Sequence, residues 1–319
     1  MSATPRGLLR RSLLVGGAGA VVALAGCGRG SAASSAGASR PADDTDPLGD
    51  LEVVDDETGS RVSLTVGDGV RRIVANGLPD HPTGRFPNPG NPNAVTAQSY
   101  DVTLPLAPSR ADTLTPLVLP QPFGLAVNGV PFDPLAAEFW DGDPVSGWTY
   151  SALGGGLDLG LDSHDGHVQP TGAYHYHGLP DALAGEASTR RHAPLVGWAG
   201  DGFPVYAPYG HRDPGDPASP LVELTSSYRL RDGVRPDGPG GRFDGVFDED
   251  WEFVPGAGAL DEANGREGVT PEFPDGTYHY VLTRGFPYVP RAFAGSLAPS
   301  FRVSAPAGGP PGPPPVARP

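Results

Sequence analysis

The chain has 319 residues, 47 of them Gly and 39 Pro, which excludes long helices and an all-parallel sheet, because both residues weaken regular elements from inside. With 12 Phe, 10 Tyr, 4 Trp and 38% hydrophobic residues it can still bury a core, so disorder throughout is excluded. A net charge of −15, with Arg as the sole basic residue type, excludes non-specific nucleic-acid binding, and a single Cys excludes a disulfide framework, a Cys-rich zinc site and a CxxC redox pair.

Residues 1–27 read as an address. Arg6, Arg10 and Arg11 precede an acid-free apolar run from Leu13 to Ala25, the charged and apolar regions of an export signal too short to span a bilayer. Arg10-Arg11 followed by Ser12-Leu13-Leu14 fits a twin-arginine signal, with Leu9 where a polar residue is usual. The run ends Leu24-Ala25-Gly26-Cys27, which resembles a bacterial lipoprotein box and implies acylation of Cys27. The expected location is the extracytoplasmic face of the cell membrane, with the lipid anchor as the membrane contact. Residues 28–49 are small and polar and predict a flexible tether, and the Pro-rich residues 305–319 predict a disordered tail.

Between them, residues 50–304 predict a single domain, with an N-terminal sub-layer over about 50–120. Alternation predicts strands at Arg61–Val66 and Tyr100–Leu104, and further strands at Leu125–Pro131, Phe203–Tyr206 and Thr277–Leu282. Asp-Gly pairs at 68, 165, 201, 232 and 275 predict turns. Only Leu135–Phe139 and Leu179–Ala187 suggest short helices. The expected fold is mainly β, sandwich- or barrel-like, with long ordered loops.

Chemistry concentrates in one histidine cluster. His164-x-x-His167 is followed across a Pro170-Thr171-Gly172 turn by Tyr174-His175-Tyr176-His177. On a strand, His175 and His177 share one face and Tyr174 and Tyr176 the other, and residues two apart are about 7 Å apart at Cα, within reach of one ion. His164 and His167 can add further nitrogens. Such a site suits a transition metal, Zn, Cu, Fe or Ni, and Asp162 or Asp165 would widen the choice. Pro170-Thr171-Gly172-Ala173-Tyr174-His175-Tyr176 recurs as Pro274-Asp275-Gly276-Thr277-Tyr278-His279-Tyr280, so two hairpins lying side by side would aim His175 and His279 into one site. Asp201 before Gly202 is a candidate ligand or general base at the site mouth. Asp248-Glu249-Asp250 and Asp261-Glu262-Asn264 are oxygen-rich candidates for Ca²⁺ without EF-hand spacing. His192 and His211 read as surface or outer-shell residues and His81 as a solvated loop residue.

The Gly172-Ala173-Tyr174-His175-Tyr176-His177 segment resembles the motif of the YHYH-domain proteins. Further segments follow in consistent order over about 125–290: Asp201-Gly202-Phe203-Pro204-Val205-Tyr206, Arg235-Pro236-Asp237-Gly238, and Leu260-Asp261-Glu262-Ala263-Asn264-Gly265. The resemblance implies a secreted or lipid-anchored protein with no established reaction. It also implies that His164 and Ala263 stand where many members carry Cys, so that a family disulfide is absent here. The expected function is an exported, lipid-anchored protein with a histidine-rich metal site, in which a metal at an open position would activate water or act on O₂ beside Tyr174 or Tyr176. The rival reading is a non-catalytic cell-surface module whose hairpins present an aromatic face to a glycan or protein partner.

Overall fold

The structure, a computed structural model, describes residues 49–185 and 188–303. All of them fall in the unit that begins at Ala42. Arg10, Arg11 and Cys27, the tether up to residue 48 and the tail lie outside the described residues.

In chain order the strands are β1 (Leu51–Val54), β2 (Arg61–Gly67), β3 (Val70–Ala75), β4 (Tyr100–Pro105), β5 (Arg110–Pro116), β6 (Gly124–Ala126) and β7 (Pro131–Phe132). After these come β8 (Gly166–Val168), β9 (Tyr174–Tyr176), β10 (Leu195–Ala199), β11 (Pro204–Tyr206), β12 (Tyr209–His211) and β13 (Leu221–Glu223). The last are β14 (Tyr228–Leu230), β15 (Trp251–Phe253), β16 (Gly265–Gly268), β17 (Thr277–Val281) and β18 (Ala292–Gly295). The fold is mainly β. Leu135–Phe139 forms no helix: the segment is irregular and ends in an isolated bridge from Phe139 to Thr149. The second expected helix shrinks to Asp181–Ala184, bounded by Pro180 and by Gly185 at φ 60°; residues 186 and 187 lie outside the described residues.

β1 to β4 form an antiparallel meander, the expected N-terminal layer. Its β2–β3 turn is Asp68-Gly69, at φ 54° and 74°, the two positive values that match the twist of a two-residue hairpin. Alternation along β2, β3 and β4 buries Val62, Leu64, Ile73, Ala75, Val102 and Leu104 on one face. That face packs on Leu125, Leu195, Trp198 and Tyr206 of a second, eight-stranded sheet. Arg71 closes the contact with its guanidinium 3.2 Å from the Trp198 ring centre.

The larger sheet runs β16-β17-β11-β10-β6-β7-β9-β8, with parallel pairing only between β11 and β17 and between β7 and β9. Its other side carries the main core: Phe123, Phe132, Tyr174, Tyr176, Val196, Val205, Tyr278, Tyr280 and Phe293. Such a two-sheet stack explains how a chain rich in Gly and Pro buries its rings: strands stay short and the turn residues sit between them.

The edges of this sheet are two hairpins of one design, β8/β9 and β16/β17. In the first, Asp162 Oδ1 accepts the N–H groups of His164 (2.9 Å) and Gly166 (3.3 Å), and Tyr174 Oη donates to Asp162 Oδ2 at 2.8 Å. In the second, Asp261 Oδ1 accepts the N–H groups of Ala263 and Gly265 (both 3.0 Å), and Tyr278 Oη lies 3.1 Å from the same carboxylate. Asp165 at φ 55° and Asn264 at φ 57° make the left-handed step into each hairpin, a conformation these two residue types tolerate best after Gly. At Gly166 and Gly265 a Cβ would collide with the Tyr174 and Tyr278 hydroxyls, so both positions need glycine. Register pairs His167 with His175 in one copy and Arg266 with His279 in the other.

Candidate metal centre

Three histidines converge on the first hairpin. His177 Nε2 lies 2.9 Å from His175 Nε2 and 3.0 Å from His167 Nε2, and the three rings meet edge to face with centroids 4.7–4.8 Å apart. Among the described residues this is the one group of three or more metal-ligating side chains whose ligand atoms all lie within 4.8 Å of one another, and it can hold a metal ion. Cross-strand pairing places His167 opposite His175, and β9 carries His175 and then His177 around on the face away from Tyr174 and Tyr176, as alternation requires.

The tautomers follow from the outer partners. His167 Nδ1 donates to the Leu159 carbonyl at 2.8 Å, and His175 Nδ1 faces the Ala173 carbonyl at 3.4 Å. His177 Nδ1 is buried without a hydrogen bond of good geometry, with the Pro134 carbonyl as the neighbouring acceptor. Protons on the Nδ1 atoms leave Nε2 lone pairs aimed at one another, an arrangement that repels unless a cation lies between them. Protons are a poor candidate for that cation. Burial, followed by the neighbouring His167, lowers His175 to about 3, and burial with His175 and His167 nearby holds His177 well below the ordinary imidazole range. Three converging imidazole nitrogens, two of them on buried rings, are the donor set of a borderline transition metal.

The remaining expected residues are elsewhere. His164 turns to the other side of the hairpin, with its ring 4.1 Å from that of His81, because the Asp162 turn and the left-handed Asp165 redirect the chain. His279 sits on β17, at the far edge of the eight-stranded sheet from β9, so the two Tyr-His-Tyr hairpins do not share a site. Asp162 is occupied by Tyr174 and three backbone N–H groups, including Gly84 at 2.9 Å, and is a turn organiser. Asp165 packs its carboxylate against Gly178, and burial with Asp181 and Asp162 nearby raises its pKa.

Asp201 is 1% exposed and accepts from Tyr280 Oη (2.6 Å) and Gly295 N (2.9 Å), which makes it a core anchor rather than a base at a site mouth. Tyr174 and Tyr176 are both fully buried, and Tyr176 Oη bonds to His81 Nε2 at 2.6 Å and accepts from Asn128 at 3.0 Å, so this hairpin presents no aromatic face to a partner. His81 and His192 are buried, not solvated, each sealed by neighbouring rings and carbonyls. The acidic runs hold no Ca²⁺ cradle: Asp250 is paired with Arg235, Asp248 with Arg291, Glu249 accepts the Thr149 N–H, and Asp261 is the second hairpin's turn organiser. The motifs alone point to Asp162 and Asp261 as ligands and miss their work as turn organisers, and they give no role to Arg266. Extending the Tyr-His-Tyr repeat upstream, Asp162-x-x-Asp165-Gly166-His167 against Asp261-x-x-Asn264-Gly265-Arg266, brings them out.

No described helix is long and apolar enough to cross a membrane. No curated protein and no solved structure matches the chain. A family model described as YHYH protein matches residues 101–295, from β4 to the end of β18 and through both hairpins. With its histidine triad built on the Tyr-His-Tyr-His segment inside that match, the chain belongs to the YHYH protein family.

Proposed function

We propose that the protein is exported, is anchored through lipid on Cys27 at the outer face of the membrane, and holds one zinc or copper ion on His167, His175 and His177. The observation that supports the metal is the meeting of three Nε2 lone pairs at 2.9–3.0 Å in a buried corner. An all-nitrogen set suits zinc and copper; a non-haem iron site would add a carboxylate, and none of the nearby acids joins the cluster. His167, His175 and His177 would hold the ion, and an ion so held would supply Lewis acidity. His167 is the one partly exposed member of the three. The Leu159 and Ala173 carbonyls fix the two rings on β8 and β9 in the ligating tautomer. The export reading rests on the Arg10-Arg11 pair, the apolar run and the Leu-Ala-Gly-Cys box.

Titration of the tag-free protein with Zn²⁺ and Cu²⁺ tests the site. The expected result is one equivalent bound, an affinity at least 100-fold weaker in His167→Ala, and no change in His164→Ala or His279→Ala. Equal loss in His279→Ala, or no loss in His167→Ala, would contradict the ligand set. Cys27→Ser is expected to release the protein from the membrane fraction; retention there would contradict the anchor.

A further inference from the structure

The second hairpin repeats the first with one change of charge. Arg266 stands in the register position of His167, and Val281 follows Tyr280 where His177 follows Tyr176. Arg266 is 9% exposed; its Nη2 donates to the His211 carbonyl at 2.7 Å, its Nε has no partner, and no carboxylate offsets the lowering of its pKa to about 10 by burial. A buried guanidinium without a counter-charge is unfavourable, and it calls for an anion.

Two more buried groups border Arg266. His279, 1% exposed, directs Nδ1 to the Thr277 carbonyl at 3.2 Å, and His192 directs Nδ1 to the Ala193 carbonyl at 2.8 Å; both Nε2 atoms are buried without a partner. Both rings pack edge-on against Tyr206, each with centroids 5.4 Å apart. Gly210 borders the group: a Cβ there would stand 3.0 Å from Arg266 Nη2 and from Leu224 Cδ1 and 3.4 Å from His192 Nε2, so only glycine lets the β12 backbone approach both cation and imidazole this closely.

We propose that the second hairpin binds a small protic oxyanion, hydrogenphosphate or hydrogencarbonate, between Arg266, His279 and His192. The anionic oxygens lie on the guanidinium, and the ligand O–H donates to an imidazole Nε2. Burial lowers His279 to about 3, so at neutral pH that nitrogen is an acceptor. A fixed cation beside bare acceptors discriminates against sulfate, which has the charge and no proton to donate. The two copies of one hairpin thus divide their chemistry, a metal on one sheet edge and an anion on the other.

Calorimetric titration of the full chain at pH 7.5 with sodium phosphate, hydrogencarbonate and sulfate is the test. One equivalent of phosphate or hydrogencarbonate is expected to bind, with sulfate at least 10-fold weaker. Arg266→Gln is expected to weaken the anion at least 10-fold. Gly210→Ala, which sets a methyl group against Arg266 Nη2 and His192 Nε2, is expected to do the same with the charge intact. The His175→Ala/His177→Ala protein is expected to keep full anion affinity, which separates this site from the metal centre. Failure of both protic anions to bind, sulfate equal to phosphate, or unchanged affinity in Arg266→Gln or Gly210→Ala would overturn the proposal.

Discussion

Alanine at both His175 and His177 is expected to abolish transition-metal binding and the thermal stabilisation that the metal brings. An ion present at a thousand times its Kd stabilises the state that binds it by about 4 kcal/mol. For a domain of this size that is a rise in Tm on the order of 10 °C. Calorimetry should therefore show a large upward shift when Zn²⁺ is added to the wild-type protein and none in the double variant. A shift of equal size in both would mean that the ion binds elsewhere.

The same residues set a pH dependence in the metal-free protein. His175 is lowered to about 3 by burial and His177 is also lowered, whereas an unfolded chain takes up their protons near 6.5. The unfolded state then binds more protons than the folded one between those values, so stability is complete above about pH 6.5 and falls as pH drops towards 3. Each histidine contributes a slope of up to about 1.4 kcal/mol per pH unit. Urea unfolding at pH 7.5 and pH 5 is expected to show this loss, and a smaller one in the double variant; identical slopes would contradict it.

Asp250→Ala is expected to lower stability by about 3–5 kcal/mol, the usual effect of stripping one partner from a buried ion pair. Asp250 is fully buried and accepts from Arg235 Nε at 2.8 Å, Arg235 Nη2 at 2.6 Å and the Gly245 N–H at 2.9 Å. Burial pushes its carboxyl up, and Arg235 with the Phe247, Gly245 and Asp244 amides outweighs that and holds it below the ordinary value. Arg235 is itself 5% exposed at its side chain and packs 5.0 Å from the Phe247 ring centre, so alanine at 250 leaves a desolvated cation with one remaining acid, Asp244. Arg235→Met combined with Asp250→Ala is expected to be less harmful than the sum of the two. A change below 1 kcal/mol for Asp250→Ala in urea unfolding would show that the pair does not hold the 231–250 loop.

What the sequence makes legible here is local. The spacing of His167, His175 and His177 around a Pro-Thr-Gly turn identifies the triad, because a hairpin of short strands fixes cross-strand pairs within one segment. Alternation likewise gives the buried faces of β2 and β4. The Tyr-His-Tyr repeat is legible as a repeat, but its placement is not: β9 pairs with β7 and β17 with β11, both in parallel, and those long-range choices send the two hairpins to opposite edges of one sheet. His164 is lost to the triad through a single left-handed residue, Asp165, whose φ no periodicity encodes. The acidic runs read alike in sequence, yet their carboxylates serve arginines, a tyrosine and backbone amides, with Arg291 43 residues from Asp248 and Thr149 100 residues from Glu249.

The metal content of the tag-free protein, purified without chelator and measured by elemental analysis together with X-ray absorption at the metal edge, tests the histidine centre most directly. The predicted result is one zinc or copper per chain with a first shell of nitrogen and oxygen that includes three imidazoles, lost in the His175→Ala/His177→Ala protein. Less than a tenth of an equivalent of any transition metal, in a protein that also fails to take up Zn²⁺ or Cu²⁺, would contradict it.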